Sequence, residues 1–188
     1  MKKEYKTAID KSSVIAAVTS FESLERALTC RSQIIFILFG DICNIPDIVK
    51  KVKEAQKLAV VHIDLITGLA SKEIAVDFIQ QCAEADGIIS SKPSLIKYAS
   101  RLSLFTVLRF FVMDYQAFSN IERQLQNVKP DAVEILPVLV PKFFTQICNM
   151  ISVPVITGGL ISDKEDLDSI LSAGASCVSS TSEDIWFL

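Results

Sequence analysis

The sequence is sparing with the residues that build metal centres and disulfide frameworks. It holds one histidine, His62, and five cysteines at Cys30, Cys43, Cys82, Cys148 and Cys177, with no Cys-x-x-Cys pair. That pattern excludes a cysteine–histidine zinc site and a disulfide scaffold. It leaves most of the thiols as small core residues in a reducing compartment. Long apolar runs are missing too. The best, Ile34-Ile35-Phe36-Ile37-Leu38-Phe39, falls far short of the ~20 residues that span a bilayer. Met1 to Lys11 is charged and lacks the apolar region of a signal peptide. Nor is there an excess of positive charge: at net −3 the chain carries no global signature of nucleic-acid binding, so an RNA partner must meet a local basic patch. A cytoplasmic protein with no membrane partner is expected.

What the sequence does have is hydrophobic mass. Half of its 188 residues are hydrophobic and 22% are charged, which excludes a disordered chain. The length suits a single domain over residues 1–188, with 1–13 as an N-terminal extension. Short β-rich apolar runs suit strands buried on both faces. They alternate with amphipathic stretches almost without interruption. Strands are predicted at 14–18, 34–39, 58–64, 87–90, 104–110, 132–136, 153–156 and 177–179. Helices are predicted at 21–28, 46–56, about 71–83, 93–102, within 114–128, within 140–150 and at 163–172, with a short end containing Trp186. Pro93 begins one helix where its missing N–H matters least, and Asp163 is placed to cap another.

Strict alternation of strand and helix predicts parallel strands with right-handed crossovers. A closed barrel and an open doubly wound sheet both satisfy it. The barrel is preferred, as a compact TIM-type (β/α)8 α/β fold with short loops, because no Gly-x-Gly-x-x-Gly follows the first strand. The last two units also look like a barrel's phosphate end. Thr157-Gly158-Gly159 ends one strand, and Ser179-Ser180-Thr181-Ser182 ends the next ahead of a short helix. Barrels commonly hold a phosphate between these two loops, where glycine lets backbone N–H groups approach and a helix N-terminus favours an anion. A plain turn with serine caps fits the same residues.

Polar residues at strand ends form a second group. Alternation puts His62 and Asp64 on one face, and Arg109 and Glu134 each point one way from neighbouring strands. If Asp64, Arg109 and Glu134 all face inward they converge on the mouth, where they meet a ligand or pair with one another. An Arg109–Glu134 pair serving structure alone fits equally well. Asp41 and Lys92 are further mouth candidates. His62, one layer deeper than Asp64, reads as a hydrogen-bonded core histidine rather than a catalytic base. Asp64 and Glu134 have the chemistry of an acid–base pair, but no nucleophile elbow and no strand-borne lysine for a Schiff base accompany them. There is no metal motif. An acidic mouth would hold magnesium only through a bound phosphate. One basic cluster, Lys50, Lys51, Lys53 and Lys57, reads as a solvated helix face with RNA phosphates as a lesser use.

Several segments in combination resemble a known family. They are Phe39-Gly40-Asp41-Ile42, His62-Ile63-Asp64-Leu65-Ile66-Thr67-Gly68-Leu69, Asp86-Gly87-Ile88-Ile89-Ser90-Ser91-Lys92-Pro93, Arg109-Phe110-Phe111, Glu134-Ile135-Leu136-Pro137 and Gly158-Gly159-Leu160-Ile161. Together they resemble the glycerol uptake operon antiterminator regulatory proteins (GlpP), from about Val14 to Trp186. The resemblance implies a TIM-type barrel and a regulator rather than an enzyme. It implies a response to glycerol 3-phosphate, action on leader mRNA, and no cofactor. It assigns the phosphate to Gly158, Gly159, Ser179, Ser180 and Thr181, and the polyol end to Asp64, Arg109 and Glu134. The runner-up is a small phosphosugar-processing barrel enzyme using Asp64 and Glu134. Two positions depart from the family pattern: Val138 stands where glycine usually follows Pro137, and Ser180-Thr181 exchange hydroxyl residues.

Overall fold

The computed structural model describes residues 1–137, 141–159 and 161–188. Val138 and Leu160 fall outside them. Eight parallel strands close into a barrel in sequence order, with the first strand hydrogen-bonded to the last. The strands are β1 (Val14–Val18), β2 (Ile34–Ile37), β3 (Leu58–His62), β4 (Gly87–Ser90), β5 (Phe105–Phe111), β6 (Ala132–Leu136), β7 (Val155–Gly158) and β8 (Cys177–Ser180). The helices are α1 (Lys3–Lys11), α2 (Phe21–Thr29), α3 (Ile45–Glu54), α4 (Glu73–Gln81), α5 (Pro93–Arg101), α6 (Tyr115–Asn127), α7 (Pro141–Met150) and α8 (Lys164–Ser172). Seven of them follow strands. The eighth precedes the barrel, and β8 is followed by a 3-10 turn, Glu183–Phe187.

Strand alternation divides the hydrophobic residues into two cores. One set, with Ile35, Val61, Leu108, Val133 and Val178, faces the helix ring. The other, with Ile15, Phe36, Val60, Ile89, Val107 and Ile156, fills the barrel. Tyr5, Ala8 and Ile9 of α1 belong to this inner set, so α1 is a plug across the end from which the strands start. The Tyr5 hydroxyl donates to the Asp86 carbonyl at 3.1 Å, and its ring lies 4.9 Å from that of Phe105.

The helix starts follow local rules. Asp163 accepts from the Asp166 amide, Asp114 from the Ala117 amide, and Ser20 and Ser23 form a reciprocal capping box. Three sequence expectations are corrected. The thiols are not mostly core residues: only Cys30 and Cys177 are buried, Cys148 is half-buried, and Cys43 and Cys82 are exposed. The third strand stops at His62, because the chain turns into a 3-10 segment at Ile63–Leu65. Asp64 therefore does not share a strand face with His62. The third helix ends at Glu54, so Lys57 is not on it.

Candidate ligand-binding site

The inner face ends, at the mouth, in charge. Arg109 and Glu134 lie opposite each other in the β5–β6 register, and both are buried. Arg109 Nε donates to Glu134 Oε2 at 2.5 Å, and Ser179 Oγ on β8 donates to Oε1 at 2.6 Å. Both carboxylate oxygens are thus engaged, as a buried anion requires. A guanidinium has five N–H donors. Among the described residues, only the Nε of Arg109 has a protein partner.

A second cluster lies on the rim. Asp64 accepts from Ser90 Oγ at 2.8 Å, from the Ser91 amide at 3.0 Å and from Lys92 Nζ at 3.0 Å. Burial alone would raise its carboxyl, but these donors, Lys92 foremost, outweigh burial and hold it below the usual carboxylate range. Lys92 also reaches Ser71 Oγ at 2.5 Å. The part played by Ser90 was not anticipated from sequence. Its signal is the Ser90-Ser91-Lys92 run at a strand end.

His62 sits between the two clusters and is influenced by both. Burial, then the charge of Arg109, pushes it down to about 4, against a smaller opposing pull from Asp64. The imidazole is neutral at physiological pH. It is 4% exposed, and its Nδ1 is the one buried side-chain N or O atom without a hydrogen-bond partner among the described residues. The expected hydrogen-bonded core histidine is therefore corrected at this atom. No neighbouring protein group reaches it, whereas a ligand or water with a polar group would satisfy it.

The predicted phosphate end is brought together by β7–β8 pairing, with Gly158 opposite Ser179. A Cβ on Gly158 would lie 2.5 Å from both the carbonyl oxygen and Oγ of Ser179. Gly159, at φ +117°, has a conformation that side chains rarely adopt. Ser180 Oγ accepts from the Ser182 amide at 3.0 Å, while Thr181 is exposed. The closing 3-10 turn carries Glu183 and Asp184 in its first turn, and Glu183 pairs with Arg26. So short and acidic a turn lends little dipole to an anion. The predicted phosphate end therefore rests on the glycines and hydroxyls and not on this turn.

The other candidates are placed elsewhere. Asp41 binds the Cys43 and Asn44 amides and Asn44 Nδ2, so its carboxylate organises its own loop. The lysine cluster is dispersed. Lys51 pairs with Glu25, Lys53 donates to the Glu84 carbonyl, and Lys57 is buried against the Cys30 and Ser32 carbonyls. Two features the sequence reading passed over are an apolar rim, with Phe111, Met113 and Tyr115 exposed beside the mouth, and the orphan imidazole nitrogen.

A closed parallel barrel of this topology is a TIM-type (β/α)8 protein, and its charged and hydroxyl side chains gather at the C-terminal ends of its strands, the end at which such barrels hold their ligands. The chain belongs to the glycerol-3-phosphate responsive antiterminator family, which matches residues 14–186. It is 41% identical over 175 residues to the uncharacterized protein YgcP of Escherichia coli (strain K12), covering 93% of this chain and 92% of that protein. The crystal structure of a glycerol uptake operon antiterminator regulatory protein from Listeria monocytogenes is similar at a TM-score of 0.88 and 28% identity, covering 93% of this chain and 94% of that one. A glycerol uptake operon antiterminator-related protein from Thermotoga maritima is similar at 0.82 and 31%, covering 93% and 98%. Barrel enzymes such as the aldolase QR15, at 0.71 and 11%, share the fold.

Proposed function

We propose that the mouth binds glycerol 3-phosphate, or a small phosphate ester much like it, and that the bound form controls antitermination on the leader mRNA of glycerol-uptake genes. The observation that carries this reading is a buried Arg109, tethered to Glu134 through Nε alone, next to a neutral His62 with an unsatisfied Nδ1. Such a floor offers donors to a small polar molecule and resists closing on itself. Ser179, Ser180, Thr181, Gly158 and Gly159 supply the phosphate end, while Arg109, Glu134 and Asp64 face the polyol. The family to which the chain belongs supports the effector and the regulatory role. The effector shifts the protein toward its RNA-competent form only by the difference in its affinity for the two forms.

A regulator is favoured over an enzyme because neither carboxylate is free for proton transfer. Asp64 is held by Lys92 and two serines, and Glu134 by Arg109 and Ser179. Five free thiols support a cytoplasmic setting. Among the described residues, no helix is long and apolar enough to cross a membrane.

Calorimetry with glycerol 3-phosphate, glycerol and inorganic phosphate tests the effector. Binding of the ester alone supports the reading, and loss of that heat in Arg109→Ala places the guanidinium in the site. A folded protein that binds none of the three refutes it. Turnover of triose or pentose phosphates by the same preparation would establish the enzyme instead.

A further inference from the structure

The two ends of the barrel differ in charge. Helix starts on the mouth side carry acids, among them Glu22, Asp47, Asp114, Asp163, Glu183 and Asp184, in excess over the bases Lys72, Lys92, Lys142 and Lys164, a balance that repels a polyanion. The opposite end is closed by α1, which buries Tyr5, Ala8 and Ile9 and presents Lys3, Lys6 and Lys11 to solvent beside two acids, Glu4 and Asp10. Arg31 and Lys129, in loops, and Arg101, at the end of α5, are exposed at the same end. Among the described residues, none of these six bases has an ion-pair partner.

Much of the asymmetry follows from helix dipoles, which favour acids at helix starts and bases at helix ends. Lys53 and Lys57 illustrate this use, since each is bound to backbone carbonyls at the closed end. Lys11, in the last turn of α1, fits it too, but Lys3 and Lys6 do not. Lys3 and Lys6 stand in the first half of their helix, where the dipole opposes cations, and only Glu4 in the first turn complements it. Residues that work against a local stability rule without a compensating interaction call for a partner.

We propose that the leader RNA is engaged at this closed end, its phosphates lying across Lys3, Lys6 and Lys11 of α1, on the face opposite the effector mouth. This rests on the RNA-directed reading above and adds the face. It also separates the two partners: the effector meets Arg109 and His62 at the top, while the polyanion meets an exposed lysine helix at the bottom.

The test uses the full chain, with and without saturating glycerol 3-phosphate, and a fluorescein-labelled single-stranded RNA of mixed sequence, with anisotropy read from 50 to 200 mM salt. Wild type should bind with a steep salt dependence. Lys3→Glu/Lys6→Glu/Lys11→Glu should bind at least tenfold more weakly at the lowest salt. Its log–log slope should be shallower by about 0.7 for each RNA phosphate that no longer meets a lysine. Lys3→Arg/Lys6→Arg/Lys11→Arg should retain the affinity, and circular dichroism should show each variant folded. A mouth-side control, Lys142→Glu/Lys164→Glu, should bind as wild type does. If the α1 reversal leaves binding intact while the mouth-side control loses it, the proposed face is wrong and the RNA reading survives. If wild type itself fails to bind, both fall, and the effector reading is judged separately by calorimetry on the same α1 variant.

Discussion

Glu134 holds Arg109 through one carboxylate oxygen and Ser179 through the other, tying β5, β6 and β8 together beneath the mouth. The pair is buried, so its charges are matched to each other and not to water. Removing one partner of such a pair leaves an uncompensated charge, at a cost of about 3–5 kcal/mol. Glu134→Ala should therefore lower stability by that order in urea melts. The double variant Arg109→Met/Glu134→Leu should cost less than Glu134→Ala alone, and both should lose the effector. A double variant costing the sum of its singles would show that the pair is not coupled.

His62 predicts a distinct acid response. Its folded value is pushed down to about 4, below the ordinary 6.5, so the unfolded chain takes up the proton first. The destabilisation is absent above pH 6.5. It grows as pH falls through that window and is complete below about 4. The gap amounts to on the order of 3 kcal/mol. His62→Gln should flatten the stability profile between those pH values relative to wild type. Parallel profiles for the two proteins would mean that the imidazole is solvated.

Gly158 is required by packing. With a Cβ placed 2.5 Å from the Ser179 carbonyl oxygen, Gly158→Ala must push β7 from β8, and overpacking of this kind costs about 1–3 kcal/mol. Ser179 would move with it, so effector affinity should fall in the same variant. Ser179→Ala separates the effects: it removes the hydroxyl from Glu134 without widening the strands. If Gly158→Ala melts like wild type, the strands yield freely there and the packing argument fails.

The fold was legible because two periodicities coincide with it. Apolar runs such as Ile34-Ile35-Phe36-Ile37 mark strands buried on both sides, and the intervening 3.6-residue patterns mark the ring of helices. The pairing of Arg109 with Glu134 was readable from their places on adjacent strands. Asp64 was misplaced because a strand and a one-residue-longer turn look alike in sequence, and only the 3-10 turn sends its carboxylate to Lys92. The partner that His62 lacks was not legible at all, since a single orphan atom depends on every neighbour at once.

The closed end was also missed, though its signal is present: Tyr5, Ala8 and Ile9 follow the i, i+3, i+4 spacing of an amphipathic helix among lysines that mask it. Ile9 is 1% exposed and joins the barrel core with Tyr5 and Phe105. Ile9→Ala leaves a cavity at the floor of the barrel, and deletions of this size cost about 2–5 kcal/mol. The urea midpoint should fall accordingly, while effector affinity measured below the transition stays at the wild-type value, because the mouth lies at the other end of the strands. A variant that keeps wild-type stability would show that α1 rests on the barrel without sealing it. A variant that loses the effector while still folded would show instead that the two ends are coupled through the inner core.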